Sequence, residues 1–172
     1  FSQGFAFATV ADPAPATPTN AAPVFTGTNA TDGGGNPTYS FTYAEGATDT
    51  TTLGTVSATD ADGNALTFSI TGGDPGGVET PWYEINATTG AITLTPAGVL
   101  SVANNFEADP NTRTLTVQVT DGMDPVTIAV VLTETDVNEA PAFTGTNAVD
   151  GSENPSYSFT YAEGAADATV LG

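Results

Sequence analysis

The side chains in this sequence that could do chemistry are carboxylates and carboxamides, gathered in short segments where turns and strand ends are predicted. Calcium takes about six to eight oxygen ligands from carboxylates, Asn side chains and backbone carbonyls. Strand ends that meet at one pole of a β-sandwich can bring such oxygens together from distant parts of a chain. The segments are Glu45, Asp60-Ala61-Asp62-Gly63-Asn64, Asn105-Phe106-Glu107, Asp121 and Asp136-Val137-Asn138-Glu139. Together they predict calcium binding, although each one alone is also typical of a solvated turn.

An EF-hand does not explain the segment that begins at Asp60. Ala65 stands where that loop needs its turn glycine, and Thr71 stands where it needs a bidentate Glu. Catalysis is also disfavoured, because the sequence has no His, Cys or Lys to act as a general base or nucleophile. A glycosidase needs two carboxylates, but the carboxylates here cluster where calcium ligands are expected. We predict that the chain is not an enzyme.

The charge of the chain restricts its partners. Twenty acidic residues and one basic residue, Arg113, give a formal charge of −19. The charge therefore disfavours nucleic acid and anionic membranes as partners, since both require clustered Lys and Arg. No apolar run reaches the length of a membrane span. The counter-charge is predicted to be a divalent cation or the salt of a saline habitat. Hydrophobic residues make up 39% of the chain, which favours a folded core over disorder.

An internal repeat sets the domain boundaries. Residues 22–54 recur at 140–172, an offset of 118, with 25 of 33 aligned positions identical. We predict a complete unit over residues 22–139 and the first part of a second repeat over 140–172. Residues 1–21 are predicted to be an extended apolar segment followed by a Pro/Ala/Thr linker. A tandem array in a longer protein is the expectation, with a processed or truncated start at Phe1.

Alternation of apolar and polar residues with a period of two predicts an all-β fold, a seven-stranded Greek-key sandwich of the immunoglobulin-like kind. One face should carry Tyr39, Phe41 and Tyr43, and a later strand should bury Leu115, Val117 and Val119. Trp82 and its neighbour Tyr83 should point to opposite faces, so that one of them is a candidate for exposure. A single helical turn is expected within Val99–Asn105. The predicted strands are Tyr39–Glu45, Leu53–Thr59, Leu66–Thr71, Trp82–Asn86, Ala91–Thr95, Thr114–Thr120 and Val126–Glu134.

The complete unit resembles the cadherin repeats in their bacterial form. The segments that carry the resemblance are, in order, YSFTYAEGA, GTVSATDADGNALTFSI, YEINATTGAITL, NNFEADPNTRTLTVQVTDG and TIAVVLTETDVNEAPAF. Their AxDxDG turn, FE pair and DxNEAPxF junction are specific in combination. The resemblance implies a cadherin-type sandwich in which calcium stiffens the junctions between successive repeats.

The resemblance also implies which residues bind calcium. At the C-terminal junction they would be Glu45, Glu107, Asp136 and Asn138, with Asn105 where the family usually has Asp. At the N-terminal junction they would be Asp60, Asp62, Asn64 and Asp121. Pro18 and Ala21 replace acidic residues of the preceding linker, which predicts a weaker N-terminal site.

Two functions remain open from the sequence. The first is an extracellular structural or adhesive module of a large bacterial surface or fibre-forming protein, secreted or on the cell surface. Its partners would be neighbouring repeats or other copies of the protein, and cell-surface or matrix glycans are a further candidate. The alternative is a spacer or glycan-binding module of a secreted polysaccharide-degrading enzyme. If the chain ends at Gly172, the spare strand Tyr157–Glu163 and the apolar Phe1–Val10 could pair between subunits; in a longer protein the chain continues into the next domain.

Overall fold

The computed structural model describes residues 19–108, 110–140, 148, 149 and 155–157. The chain divides into two compact units between Val137 and Asn138, two residues before the boundary expected from the repeat. No helix of the described residues is long and apolar enough to cross a membrane. The predicted strand Tyr157–Glu163 falls outside the described residues from position 158 onwards, and so does Phe1–Val10.

The described part of the first unit contains ten strands. They are β1 (Val24–Thr26), β2 (Ala30–Thr31), β3 (Pro37–Ala44), β4 (Gly54–Thr55), β5 (Ser57–Thr59), β6 (Thr67–Gly72), β7 (Tyr83–Ile85), β8 (Ala91–Leu94), β9 (Thr112–Thr120) and β10 (Pro125–Thr135). A five-stranded sheet has the order β2-β3-β10-β9-β6, and a three-stranded sheet has the order β4-β8-β7. β1 pairs with β5.

All seven predicted strands are present, so the β-sandwich prediction is confirmed. The predicted strand Leu53–Thr59 is divided into β4 and β5 at Val56, whose backbone N–H donates to the Gly90 carbonyl at 3.0 Å. Gly90 is suited to this contact because its φ is +70° and a Cβ there would lie 2.3 Å from the Val56 carbonyl oxygen. β1 and β2 were not predicted, because strands of two or three residues show no clear alternation.

One parallel pair holds the first and last long strands together. β3 runs parallel to β10 from Tyr39 opposite Val130 to Ala44 opposite Thr135, whereas β10 and β9 are antiparallel. Parallel strands cannot be joined by a tight turn, and here the rest of the unit forms the connection. The pairing brings the end of β3 next to the end of β10.

The core lies between the sheets, as the alternation predicted. Leu115, Val117 and Val119 are fully buried, and they meet Ile92 and Leu94 of the smaller sheet in one hydrophobic cluster. Tyr39 and Tyr43 are buried, while Ser40 and Thr42 on the opposite face are exposed. The aromatic rings are therefore core residues, as expected.

Tyr83 and Trp82 differ in exposure. Tyr83 is buried and Trp82 is half-buried, so neither is the fully exposed ring that the sequence allowed. Trp82 lies under the guanidinium of Arg113, whose central carbon is 5.3 Å from the ring centroid. Its backbone N–H is held by the Asp74 carboxylate.

The helical turn predicted within Val99–Asn105 is confirmed, and a further short helix that was not predicted precedes it. A short α-helix covers Pro96–Val99, and a 3₁₀ turn covers Val102–Asn104. Thr95 caps the first by accepting from the Gly98 N–H at 3.0 Å. Thr95 had been assigned to the preceding strand, although Pro96 directly after a Thr is a typical helix start.

The described residues of the second unit include one hairpin. β11 (Ala148–Val149) pairs with β12 (Pro155–Ser156), with Ala148 opposite Ser156. In the first unit β2 pairs with β3 in the same register, with Ala30 opposite Thr38. The 118-residue sequence offset therefore relates these two hairpins residue by residue.

Candidate metal centre

Glu45 joins three segments of the chain at the end of β3. Its N–H donates to the Thr135 carbonyl at 3.1 Å, so the residue stays in register with β10. Its Oε2 accepts from the Phe106 N–H at 2.8 Å, and its Oε1 accepts from the Val137 N–H at 2.7 Å. The half-buried Glu45 carboxylate thus holds the backbone at Phe106 and at Val137 by hydrogen bonds alone.

Glu45, Glu107 and Asp136 form a cluster that we call the acidic triad. Each offers one carboxylate oxygen, and these oxygens lie within 4.8 Å of one another. Glu107 and Asp136 are exposed. Glu107 is placed by a turn in which its N–H donates to Asn105 Oδ1 at 3.2 Å. Because Asp136 directly follows β10, the β3–β10 pairing brings it to Glu45.

Three carboxylates this close repel one another. At about 4 to 5 Å the repulsion of two unit charges is about 1 kcal/mol in water and about 4 kcal/mol near a protein surface. A divalent cation that binds all three would reverse the sign of this interaction. The oxygen-only ligand set suits calcium or magnesium, not a metal that prefers nitrogen or sulfur.

Glu134 is a buried carboxylate next to the triad. It lies on the core-facing side of β10 and is 2% exposed. Neither of its oxygens has a hydrogen-bond partner among the residues that the structure describes. Burial raises the pKa of Glu134, and the negative charges of Glu45 and Glu107 add to the increase, while Arg113 opposes it.

The residues around Glu134 form a polar group inside the core. In the β3–β10 register Glu134 is opposite Tyr43. The Tyr43 hydroxyl donates to the Ala103 carbonyl at 2.5 Å and lies 3.4 Å from the Tyr83 hydroxyl. Burial raises the pKa of both tyrosines, so they remain neutral donors at physiological pH.

The second predicted set of ligands surrounds a different residue, Asn20. Asn20 Nδ2 donates to Asp121 Oδ2 at 2.6 Å and to Asp124 Oδ2 at 2.9 Å, and its Oδ1 accepts from Asn64 Nδ2 at 3.0 Å. The next residue, Ala21, donates its N–H to Asp62 Oδ2 at 2.7 Å. We call these residues the Asn20 network. The carboxamide neutralises no charge, but it satisfies several acidic oxygens by hydrogen bonding.

Two carboxylates of this region also hold their own turns. Asp60 Oδ1 accepts from the N–H groups of Asp62 and Asn64, both at 3.0 Å, while its Oδ2 is buried and has no partner in the part of the chain that is described. Asp121 Oδ1 accepts from the N–H groups of Met123 and Asp124. The hydrogen bond from Asn20, followed by these backbone bonds, lowers the pKa of Asp121 to about 2.

The structure thus separates the predicted ligands into groups. Glu45, Glu107 and Asp136 meet, and Asp62, Asn64 and Asp121 are connected through the linker. Asn105 shapes the turn of Glu107. Asn138 belongs to the second unit, where its Nδ2 lies 3.3 Å from the Glu139 carbonyl.

Sequence reasoning missed Asn20, Asp124 and Glu134. The repeat offset contained a signal for Asn20, which aligns with Asn138. The alternation along β10 contained one for Glu134, since it continues the buried series Val130 and Leu132. Asp124 carried no such signal.

No established protein-family profile matches the chain. Solved structures with the same fold include Drosophila N-cadherin EC1-4, with 18% identity and a TM-score of 0.51, covering 69% of this chain and 25% of that one. Mouse cadherin-23 EC22-24 has 23% identity and a TM-score of 0.52, covering 69% and 34%. Human protocadherin-24 EC1-2 has 20% identity and a TM-score of 0.50, covering 69% and 45%. The chain therefore has the cadherin-type fold, and it matches a quarter to under a half of the length of these chains.

Proposed function

We propose that this cadherin-fold chain is a calcium-binding extracellular structural and adhesive module of a large bacterial surface or fibre-forming protein. The observation that carries the proposal is the acidic triad, in which oxygens of Glu45, Glu107 and Asp136 lie within 4.8 Å of one another. The bacterial setting follows from the sequence resemblance. The −19 charge supports a role for cations in the folded state.

Calcium would act on the segment that leaves the first unit. Glu45 already holds the Val137 N–H and the Phe106 N–H with its two oxygens, and Asp136 lies directly before Val137. A cation bound by the triad would tie the end of β10 to the end of β3 and to the turn at Glu107. Calcium would thereby stiffen the chain where one repeat passes into the next.

A calcium titration tests this proposal. We expect calorimetry on the full chain to detect calcium binding, and the melting temperature to rise relative to chelator at constant ionic strength. Ligand at about 100 times its Kd stabilises the folded state by about 2.7 kcal/mol. In Glu45→Gln we expect at least about tenfold weaker binding, since one charge of the triad is lost.

Glu79→Gln is the matched control for Glu45→Gln. Glu79 is exposed in the loop between β6 and β7, and its substitution changes the net charge equally. A melting temperature that is the same in chelator and in saturating calcium would rule out the calcium proposal.

The glycan-binding alternative gains no support from Trp82. Aromatic rings that bind sugars must present an open face, whereas Arg113 covers a face of Trp82. We therefore favour neighbouring repeats and further copies of the protein as partners.

A further inference from the structure

The position of Glu134 calls for an explanation that core packing does not supply. A charged group buried without hydrogen bonds destabilises a fold, and within the described part of the chain both carboxylate oxygens of Glu134 are buried with no hydrogen-bond partner. On the same face of β10, Ile128, Val130 and Leu132 fill the core with apolar side chains. An apolar residue at position 134 would continue this pattern at no electrostatic cost.

Arg113 compensates Glu134 only in part. Arg113 is opposite Leu132 in the β9–β10 register, and its charge acts on Glu134. No hydrogen bond joins these two described side chains, because the Glu134 oxygens and Arg113 Nη2 all lack partners in the described ranges. The guanidinium lies over Trp82 instead.

The acidic triad includes Asp136, which directly follows β10, the strand that carries Glu134. Glu134 precedes Asp136 by two residues at the end of β10, and the negative charges of Glu45 and Glu107 act on Glu134. Glu45 is next to Thr135 through a backbone hydrogen bond. Glu134 is thus a buried carboxylate next in sequence to Thr135, which holds the backbone of the triad residue Glu45.

We propose that Glu134 is an inner positioning residue of the cation site, which strengthens divalent-cation binding by its buried negative charge and lowers the stability of the metal-free fold. This inference rests on the proposed function. The triad carboxylates contact the cation, and Glu134 acts through the field it adds in a region of low dielectric, where a fixed charge has a larger effect than in water.

Glu134→Gln, measured in the full chain, tests the inference with two readouts. We expect the calcium Kd from calorimetry to increase about tenfold, and the metal-free urea midpoint to rise. Glu134→Leu should raise the metal-free midpoint further and weaken calcium binding at least as much. A residue with a purely structural role would lower the midpoint when substituted.

Controls separate this inference from the proposed function. Glu79→Gln should leave the Kd within about twofold, because its carboxylate is exposed to solvent. If Glu134→Gln and Glu79→Gln have the same Kd while Glu45→Gln weakens binding, the inference is wrong and the calcium site stands. If both Glu134 variants have lower metal-free midpoints, Glu134 is a structural partner of Arg113 and the inference is likewise wrong. A wild-type chain that binds no calcium contradicts the proposed function itself.

Discussion

Some carboxylates in this protein hold turns by accepting backbone hydrogen bonds, whereas others converge in the acidic triad. Asp74 accepts backbone hydrogen bonds from Gly76, Trp82 and Tyr83 and thereby fixes the loop before β7. Asp32 similarly accepts from the Asn36 side chain, the Asn36 backbone N–H and the Gly34 N–H, and these bonds, the first most of all, lower its pKa. Such carboxylates are occupied by turns, since unpaired N–H groups in a tight loop need acceptors. Acidic residues in a turn are therefore metal-ligand candidates only when other carboxylates converge on them.

The Asn20 network predicts a measurable pH dependence. The folded pKa of Asp121 is about 2, below its ordinary value of 3.8. A depressed pKa contributes stability that is present above about pH 4 and is lost as the pH falls through 3.8 towards 2. In Asn20→Ala the largest cause of the depression is gone, so the pKa of Asp121 should rise towards its ordinary value.

NMR titration of the Asp121 carboxyl group in chelator measures this change. Asn29→Ala is a suitable control, because the Asn29 side chain bonds the backbone of Ser40 in a different hairpin. If the titration midpoint of Asp121 is unchanged in Asn20→Ala, the backbone donors alone depress the pKa of Asp121.

At the scale of elements, ring packing and hydrogen bonds connect β3 to the β1–β5 pair. Tyr39 and Phe41 stack with centroids 5.7 Å apart, and Phe25 of β1 meets Tyr39 edge-on at 6.3 Å. The Tyr39 hydroxyl accepts from the Ser57 N–H at 3.0 Å and bonds the Thr26 carbonyl. The core-facing residue Tyr39 of β3 thus also holds β1 and β5 in place.

Gly54 is the residue of β4 that allows this packing. A Cβ at Gly54 would lie 2.2 Å from the Phe41 ring, so Gly54→Ala requires the ring to shift. We expect a loss of about 1 to 3 kcal/mol in the free energy of unfolding, as for other overpacked cores, measured by urea denaturation. Gly33→Ala is the matched control, since a Cβ there meets nothing within 4 Å. Equal effects of the two substitutions would mean that the Phe41 ring moves freely.

The charge of the whole molecule predicts a response to salt that differs from the response to calcium. With a formal charge of −19, the metal-free chain repels itself, and the screening length falls from about 30 Å at 0.01 M to about 8 Å at 0.15 M salt. We expect the melting temperature in chelator to rise over this range. At fixed ionic strength, millimolar calcium should add a further increase.

Tetramethylammonium chloride in place of NaCl checks that screening is responsible. Both salts should raise the melting temperature to the same extent, because neither cation needs a specific site. A melting temperature in chelator that stays constant or falls with added salt would contradict the role assigned to net charge.

Much of the fold was predictable because its signals are local. Period-two alternation identified the buried faces of β3 and β9, since side chains of a strand alternate whatever its partners are. The repeat of residues 22–54 at 140–172 predicted the first part of a second repeat, and β11 and β12 pair in the register that corresponds to β2 and β3. Net charge follows from composition alone. Short strands and the exact start of the helix escaped prediction because their signals span too few residues.

The site required the tertiary structure. Glu45, Glu107 and Asp136 are far apart in sequence, and they meet because β3 pairs with β10 in one particular register. Asn20 reaches Asp121 and Asp124 only because the fold places it beside the residues that follow β9. The alternation places Glu134 on the core face, but its lack of hydrogen-bond partners depends on every element packed around it. Local preferences determine which way a side chain points, and long-range pairing determines what it meets.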